Sequence, residues 1–533
     1  MFEDSLAVLR QAKPGSLVPF VHTVDRVLDV PDYFSKLSDF GRKPGSVLFE
    51  SAEVVSGYGE HSLGFAEPIL RASFADPELR ITALSPQGER FLAFVGEKPF
   101  SFVEGLEFSA KQVKGIIPRK AFKGSEDEKF AEKTPLDALR VLAFTFKPTL
   151  QPFKCSGGLF GLFSHDFIDR FEELPPLAER PEPDYEFYFA DSLFFVEHQK
   201  NKTHFIANAL VSDDDSDEQE AYCRARLDAL LDKFSDARPL TPRFAPKQAG
   251  PGNESISEKS FFAGVKEINE NILAGNVFQA VLSAETSLDF NAVPLDAYKA
   301  LRATNPSPYM FFFGLERGQL LAASPEMGYR VDGNGNGQRF LEVRPIAGTR
   351  PRGQDPEEDA RLEAELLTDS KELAEHAMLV DLARNDVARA SVPGTRQVSK
   401  PFTVEKYSHV QHLVSTVRGQ LRPELDALHC YPVCMNPGTL TGAPKPEAMK
   451  LLRRLEKKGR GFYGGLACYL TPAGVLDSAI VIRAIRLLDG KARLQAGAGI
   501  VLDSRPGDEF AEVQAKLAAC REAVKKSGGV LLD

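Results

Sequence analysis

Tryptophan is absent from the 533 residues, and cysteine and methionine number six each. The cysteines, at 155, 223, 430, 434, 468 and 520, are too scattered to outline a disulfide framework and lack the paired spacing of a zinc site. A reducing compartment, the cytoplasm, fits them best. No run approaches the ~20 apolar residues of a membrane span. The first fifteen residues carry Glu3 and Asp4 and no apolar core, which argues against a signal peptide. Excess basic charge is missing too: 75 acidic against 65 basic residues give a formal charge of −10, unsuited to non-specific nucleic-acid binding. An anionic substrate then requires a locally positive pocket. Gly333, Gly335 and Gly337 are followed by no Walker lysine, and the 438–445 segment lacks the Gly-Lys-Ser/Thr ending of a phosphate loop. None of the cysteines sits in a Gly-x-Cys-x-Gly nucleophile turn, and no short repeat runs along the chain.

What is present is an apolar content of 43%, enough to bury a large core over a length that permits several domains. An acidic cluster at 212–220, a helical stretch at 221–234 and a Pro-, Gly-, Ala- and Arg-rich segment at 238–252 read as a surface connection. The main boundary is therefore expected near 255, between an N-terminal α+β region (1–254) and a second domain (255–533). Aromatic and β-branched runs at 91–95 and 185–196 predict strands, and 135–144 predicts an amphipathic helix. Past the boundary the pattern predicts a helix at 257–274, a strand at 278–287 and a helix at 294–303. Strands at 309–315 and 320–324 follow, then a hairpin over 331–340 and a long helical region over about 356–390, containing a helix at 369–382 and stopped by Pro393-Gly394. The class is α+β.

Two acidic pairs stand out. On the last predicted helix, 507–526, Phe510, Val513, Leu517, Cys520 and Val524 form an apolar stripe, while Glu509, Glu512 and Lys516 share another face. Such a face is ordinarily a solvated ion-pair ladder. Glu372 and Glu375 repeat the spacing beside His376, so two helices offer carboxylate pairs able to face each other across a hard cation. Glu326, in Ala323-Ser324-Pro325-Glu326, reads by itself as a helix N-terminus, and 345–352 (Pro-Ile-Ala-Gly-Thr-Arg-Pro-Arg) reads by itself as a turn leaving a strand.

The last segment, together with matches at 277–279, 305–310, 323–326, 369–386, 407–415, 434–445, 462–465, 477–483, 495–503 and 509–516, resembles the chorismate-utilising enzymes, and most closely their anthranilate synthase large subunits. Looser similarity at 48–51, 157–166 and 171–175 extends the resemblance over nearly the whole chain. The resemblance implies large antiparallel β-sheets packed together with helices outside. It also implies conversion of chorismate and ammonia to anthranilate and pyruvate through aminodeoxyisochorismate. By that resemblance Glu375 and Glu512 are magnesium ligands, supported by Glu372 and Glu509; Glu326 is the general acid for loss of the C4 hydroxyl; and His412 serves the elimination of pyruvate. Tyr463, Arg483, Lys516 and the backbone of Gly497, Ala498 and Gly499 hold the substrate carboxylates, with Thr439 and Gly442 lining the same cavity. Relatives that use water carry a lysine base at the place of Gln279, and relatives that use a covalent amine carry a nucleophilic lysine at the place of Ala347. Neither lysine is present, which leaves ammonia as the nucleophile.

Glu50 and Ser51, in Leu48-Phe49-Glu50-Ser51, and Asn305, Pro306, Ser307, Pro308, Tyr309 and Met310 resemble the two walls of the family's tryptophan feedback site, with Phe49 replacing the usual leucine. The resemblance further implies a separate glutamine amidotransferase subunit as ammonia source, in a heterodimer or a higher assembly such as a heterotetramer, and no membrane or nucleic-acid partner. Ala515 departs from a frequent asparagine, and Ser164-His165-Asp166 from a more aromatic pattern. Two alternatives share the fold: aminodeoxychorismate synthase, and a non-catalytic tryptophan-binding regulator.

Overall fold

The structure, a computed structural model, describes residues 2–51, 61–119, 124–213, 215–235, 253–254, 258–333, 336–407 and 410–527. Its central strands alternate between cores. In Tyr309–Gly314, Phe311 and Phe313 meet Phe160 and Leu162 of Gly158–Phe163 in one core, while Met310 and Phe312 enter another beneath the helices Val30–Ser38 and Pro294–Thr304. Leu159 and Phe163 point the opposite way, into a third core with Leu139 and Leu142 of the helix Leu136–Phe144. Strands buried on both faces must be apolar throughout. The outcome is two thirteen-stranded sheets stacked face to face with helices outside, as expected. Their pairings are antiparallel apart from Ser16–Val24 beside Lys147–Pro148.

Both sheets draw strands from either side of residue 255. Val47–Glu50 pairs with Tyr309–Gly314 in the first, and Gly158–Phe163 pairs with Leu466–Leu470 in the second. The boundary expected near 255 and the 238–252 connection lie outside the described residues, as does Gly335 of the predicted hairpin, whose flanking strands Met327–Gly333 and Arg339–Val343 do pair.

Four local expectations are corrected. Residues 91–95 belong to the helix Pro86–Val95: Ser85 accepts the Gly88 N–H and Pro86 opens the first turn, so the start signal prevails over β-propensity and packs Phe91, Leu92 and Val95 inward. The 185–196 run is two strands, Tyr185–Ala190 in the second sheet and Ser192–Glu197 in the first, with the chain crossing between them at buried Asp191. The long helical region is two helices, Pro356–Thr368 and Ser370–Ala390, divided where Asp369 turns back to cap the N–H groups of Lys371 and Glu372. The 221–234 helix begins earlier, at Ser216, so part of the acidic cluster is its first turn, where carboxylates suit the helix dipole.

Candidate active site

At one end of the stacked sheets, edge strands of both, joined by the helices Ser370–Ala390 and Pro506–Ser527, enclose a cavity of about 520 Å³. Its first wall is Gln279–Asp289 paired with Lys491–Ile500, with Val281 opposite Gly499. A methyl group at Gly499 would stand 2.5 Å from Gln279 Nε2, so only glycine lets that side chain lie across the strand. Past Leu494 the second strand loses its pairing with Ala484–Leu488, and the freed edge at Gln495, Ala496, Gly497 and Gly499 opens into the cavity. Gln279 Nε2 donates to Glu375 Oε1 at 3.5 Å, and its buried Oε1 meets no donor among the described residues. Two expected residues stand behind this wall. Ala498 packs into the core, and Gly442 pairs with Ala280 so closely that a Cβ there would lie 2.0 Å from the Gln279 carbonyl.

Glu326 occupies the crossing from Gln319–Ser324 of the first sheet to Met327–Gly333 of the second, not a helix N-terminus. Its carboxyl is almost wholly buried, with Thr439 Oγ1 donating to Oε1 at 2.8 Å. Burial pushes its pKa from 4.5 up to about 7, against the opposing pull of Thr439 and Lys516. The acid is thus poised near neutrality.

The third wall is the strand Ile346–Pro351 paired with Val410–Gln420. A bulge at Gly348, with φ +68°, sets Ala347 opposite Leu413 and Thr349 opposite His412, and all three of Ala347, Thr349 and His412 reach the cavity. His412 Nδ1 lies 3.0 Å from Thr349 Oγ1 and 3.3 Å from the Gly348 carbonyl. A carbonyl only accepts, so it favours the proton on Nδ1 and leaves Nε2 as the basic nitrogen. His376, by contrast, faces away: it bonds Ser415 Oγ at 2.7 Å, meets the Phe402 ring edge to face, and burial lowers its pKa to about 4.

Glu372 and Glu375 from one helix and Glu509 and Glu512 from the other all line the cavity. Burial, then repulsion from Glu372 and Glu512, raises the Glu375 pKa; burial and Glu512 raise that of Glu509. Arg350 ties Asp369 and Glu372 together at 2.7 and 3.2 Å, fixing the start of the helix to the Ala347 strand. Lys516 Nζ reaches Glu512 at 2.6 Å and the Gly497 carbonyl at 2.9 Å. Arg483 enters from a left-handed backbone (φ +49°), a conformation that costs a non-glycine residue on the order of 1 kcal/mol. Tyr463 stands near it, its hydroxyl pushed up to about 12 by burial. The lining also includes Lys371, Leu440, Ile482 and Gln495, which lie in matched segments but were not singled out because each is a common residue type with no chemical signal of its own.

The four glutamates around Glu326 face three cations, Lys371, Arg483 and Lys516, a formal −1 that would repel a dianion. A divalent cation between the helices would reverse that sign and relieve the crowding that raises Glu375 and Glu509. Carboxylate oxygens suit a hard ion such as magnesium. Among the described residues no three His, Cys, Asp or Glu side chains form a metal site by themselves; an ion held here would draw its remaining oxygens from substrate and water.

A second cavity, of about 90 Å³, lies between the sheets. Phe49, Glu50 and Ser51 line it with Pro308, Tyr309 and Met310; Ser51 Oγ donates to the Pro308 carbonyl at 3.0 Å, and Met310 pairs with Glu50. Asn305, Pro306 and Ser307 are not in its lining; Asn305 and Ser307 donate to the Ala323 carbonyl instead. The Glu50 carboxylate turns to Tyr298 and Arg302. The six cysteines are free and buried, and among the described residues no helix is long and apolar enough to cross a membrane.

The sequence profile of the chorismate binding enzymes matches residues 101–522. Anthranilate synthase component 1 of Escherichia coli K12 is 40% identical over 494 residues, 91% of this chain and 92% of its own length. The protein of the same name from Buchnera aphidicola subsp. Acyrthosiphon pisum is 39% identical over 497 residues, 91% and 93% of the two chains. Among solved structures, anthranilate synthase component I from Streptococcus pneumoniae superposes with a TM-score of 0.70 at 30% identity, covering 88% of this chain and 93% of that one. The menaquinone-specific isochorismate synthase of Escherichia coli has the same fold, with a TM-score of 0.64 at 17% identity over 98% of each chain.

Proposed function

The chain belongs to the chorismate binding enzyme family, and from that premise we propose that its larger cavity converts chorismate and ammonia to anthranilate and pyruvate. The observation that carries this reading is the pairing of a buried acid poised near neutrality, Glu326, with glutamine at 279 and alanine at 347 in one lining. Glu326 gives its proton to the departing C4 hydroxyl. Gln279 cannot deprotonate water, but its free Oε1 accepts a hydrogen bond from ammonia and orients it. The Ala347 methyl leaves room for that external nucleophile. Arg483, Tyr463, Lys516 and the freed edge at Gly497 and Gly499 bind the two carboxylates, and His412 Nε2 manages the proton during loss of pyruvate. Glu375 and Glu512 would hold magnesium, with Glu372 and Glu509 supporting through water. When bound, the ion draws electron density from the ring carboxylate.

The relatives are named component 1, which supports a second component for this chain too. That partner is a glutamine amidotransferase delivering ammonia. The second cavity, with Phe49 in its wall, takes tryptophan as a feedback inhibitor. Chromatography after incubation with chorismate, magnesium and ammonium tests the reading: anthranilate is expected. Aminodeoxychorismate would mark the para-aminobenzoate branch, isochorismate the use of water, and no product a regulator without activity.

A further inference from the structure

Lys457-Lys458-Gly459-Arg460 looks like a solvated basic turn, yet the Arg460 side chain is only 3% exposed. Its guanidinium reaches in three directions. Nη1 donates to the Leu440 carbonyl at 2.6 Å, Nη2 donates to the Val281 carbonyl at 2.7 Å, and Nε and Nη2 grip Glu456 at 2.8 and 2.7 Å. The same group lies 5.8 Å from the centre of the Tyr463 ring. Glu456 in turn accepts from the Ser283 N–H and hydroxyl at 2.9 and 2.8 Å. The main chain at Arg460 is fixed as well: Asp166 accepts the Arg460 and Gly461 N–H groups at 3.1 and 2.9 Å.

Three of these contacts end at, or within two residues of, a group that faces the cavity. Leu440 follows Thr439, which holds Glu326; Val281 lies two residues beyond Gln279 on the same strand; Tyr463 is itself in the lining. We propose that Arg460, which is outside the lining, is the positioning residue that holds the Thr439, Gln279 and Tyr463 walls in register. A planar fork with five donors spans three acceptors at fixed angles, which a lysine ammonium on a flexible stem cannot do. A buried ion pair gives little net stability for its desolvation, so registry of the walls is the use this geometry serves.

The test rests on Glu326 being the acid and reads its proton. The groups acting on that carboxyl are Thr439 and Lys516, both lowering its pKa. A Thr439 loop released from Arg460 donates less well, so the pKa rises. In Arg460→Lys, kcat for anthranilate formation at constant free ammonia should fall about 10- to 100-fold, the scale for a small misplacement of reacting groups, with a smaller change in chorismate KM. The high-pH limb of kcat should move upward. Thr439→Val should move the same limb, and adding Arg460→Lys to it should move the limb no further. A limb fixed at its wild-type position, or additive movement in the double variant, overturns the proposal. If Arg460→Lys does not fold, Glu456→Gln, which loosens the fork, takes the same measurement with the same expectation, and an unmoved limb there overturns it. A wild-type chain that makes no anthranilate overturns the functional reading instead.

Discussion

Glu326 keeps its proton because nothing near it stabilises the charge as well as water would. The sign of the consequence is definite. Between the unfolded pKa of 4.5 and the folded value of about 7 the native state binds the proton more tightly, so this group makes stability fall as pH rises through that window. Glu326→Gln removes the dependence. Denaturant midpoints should show a gain of up to about 3 kcal/mol at pH ~8 and little at pH ~4. The same variant should bind chorismate and fail at the first step, and wild-type turnover should decline above pH ~7 as the acid ionises. Undiminished amination by Glu326→Gln contradicts the assignment. For His412→Met, elimination should slow more than amination, so aminodeoxyisochorismate accumulates and is seen by chromatography; equal slowing without an intermediate makes the ring positional. Glu326, Glu375, His412 and Glu512 were legible through the family resemblance of the segments that carry them, and the structure brings all four to one cavity. Arg460 and Thr349 were not: a basic turn and a strand threonine acquire their roles only when residues 20 to 179 positions away close around them.

At the scale of elements, the metal reading depends on two helices, Ser370–Ala390 and Pro506–Ser527, that meet only through tertiary packing. Spacing showed which carboxylates share a helix face; it did not show that the faces oppose each other. Arg350 supplies part of the reason, bonding Asp369 and Glu372 from the Ala347 strand. Glu512→Gln should retain the fold and lose magnesium-dependent turnover, and calorimetry without substrate should show magnesium affinity reduced at least about tenfold. Unchanged affinity removes Glu512 from the ion. Within 356–390 the break between the two helices is made by one side chain, Asp369, accepting the N–H groups of Lys371 and Glu372. At 91–95 the deciding signal is the cap at Ser85, which lies outside the aromatic run itself.

Across the whole molecule, the strands that line the smaller cavity lead into the larger one. Tyr309–Gly314 pairs with Gln319–Ser324, which runs directly into Glu326. Asn305 and Ser307 hold the Ala323 carbonyl, and the Ala323 N–H donates to the carbonyl of Arg483 at 3.2 Å. The wall at Glu50 joins this path from before residue 255 through the pairing of Val47–Glu50 with Tyr309–Gly314, which composition, reading the two halves separately, did not anticipate. Tryptophan and chorismate should therefore weaken each other's binding by one common factor, roughly 5- to 150-fold. Because the chain has no tryptophan, the ligand's own fluorescence reports its binding without background. Ser51→Phe should fill the smaller cavity, weaken tryptophan inhibition and leave uninhibited turnover nearly intact; unchanged affinity and inhibition would place the effector elsewhere. Attack of ammonia on chorismate in the cavity of Glu326, Gln279 and Ala347 can be followed by supplying the isolated chain with chorismate, magnesium and ¹⁵N-ammonium and analysing the product by mass spectrometry. The expected product is anthranilate carrying the label on its amine, with pyruvate released in equal amount; isochorismate, labelled aminodeoxychorismate without pyruvate, or unlabelled anthranilate would rule out that attack.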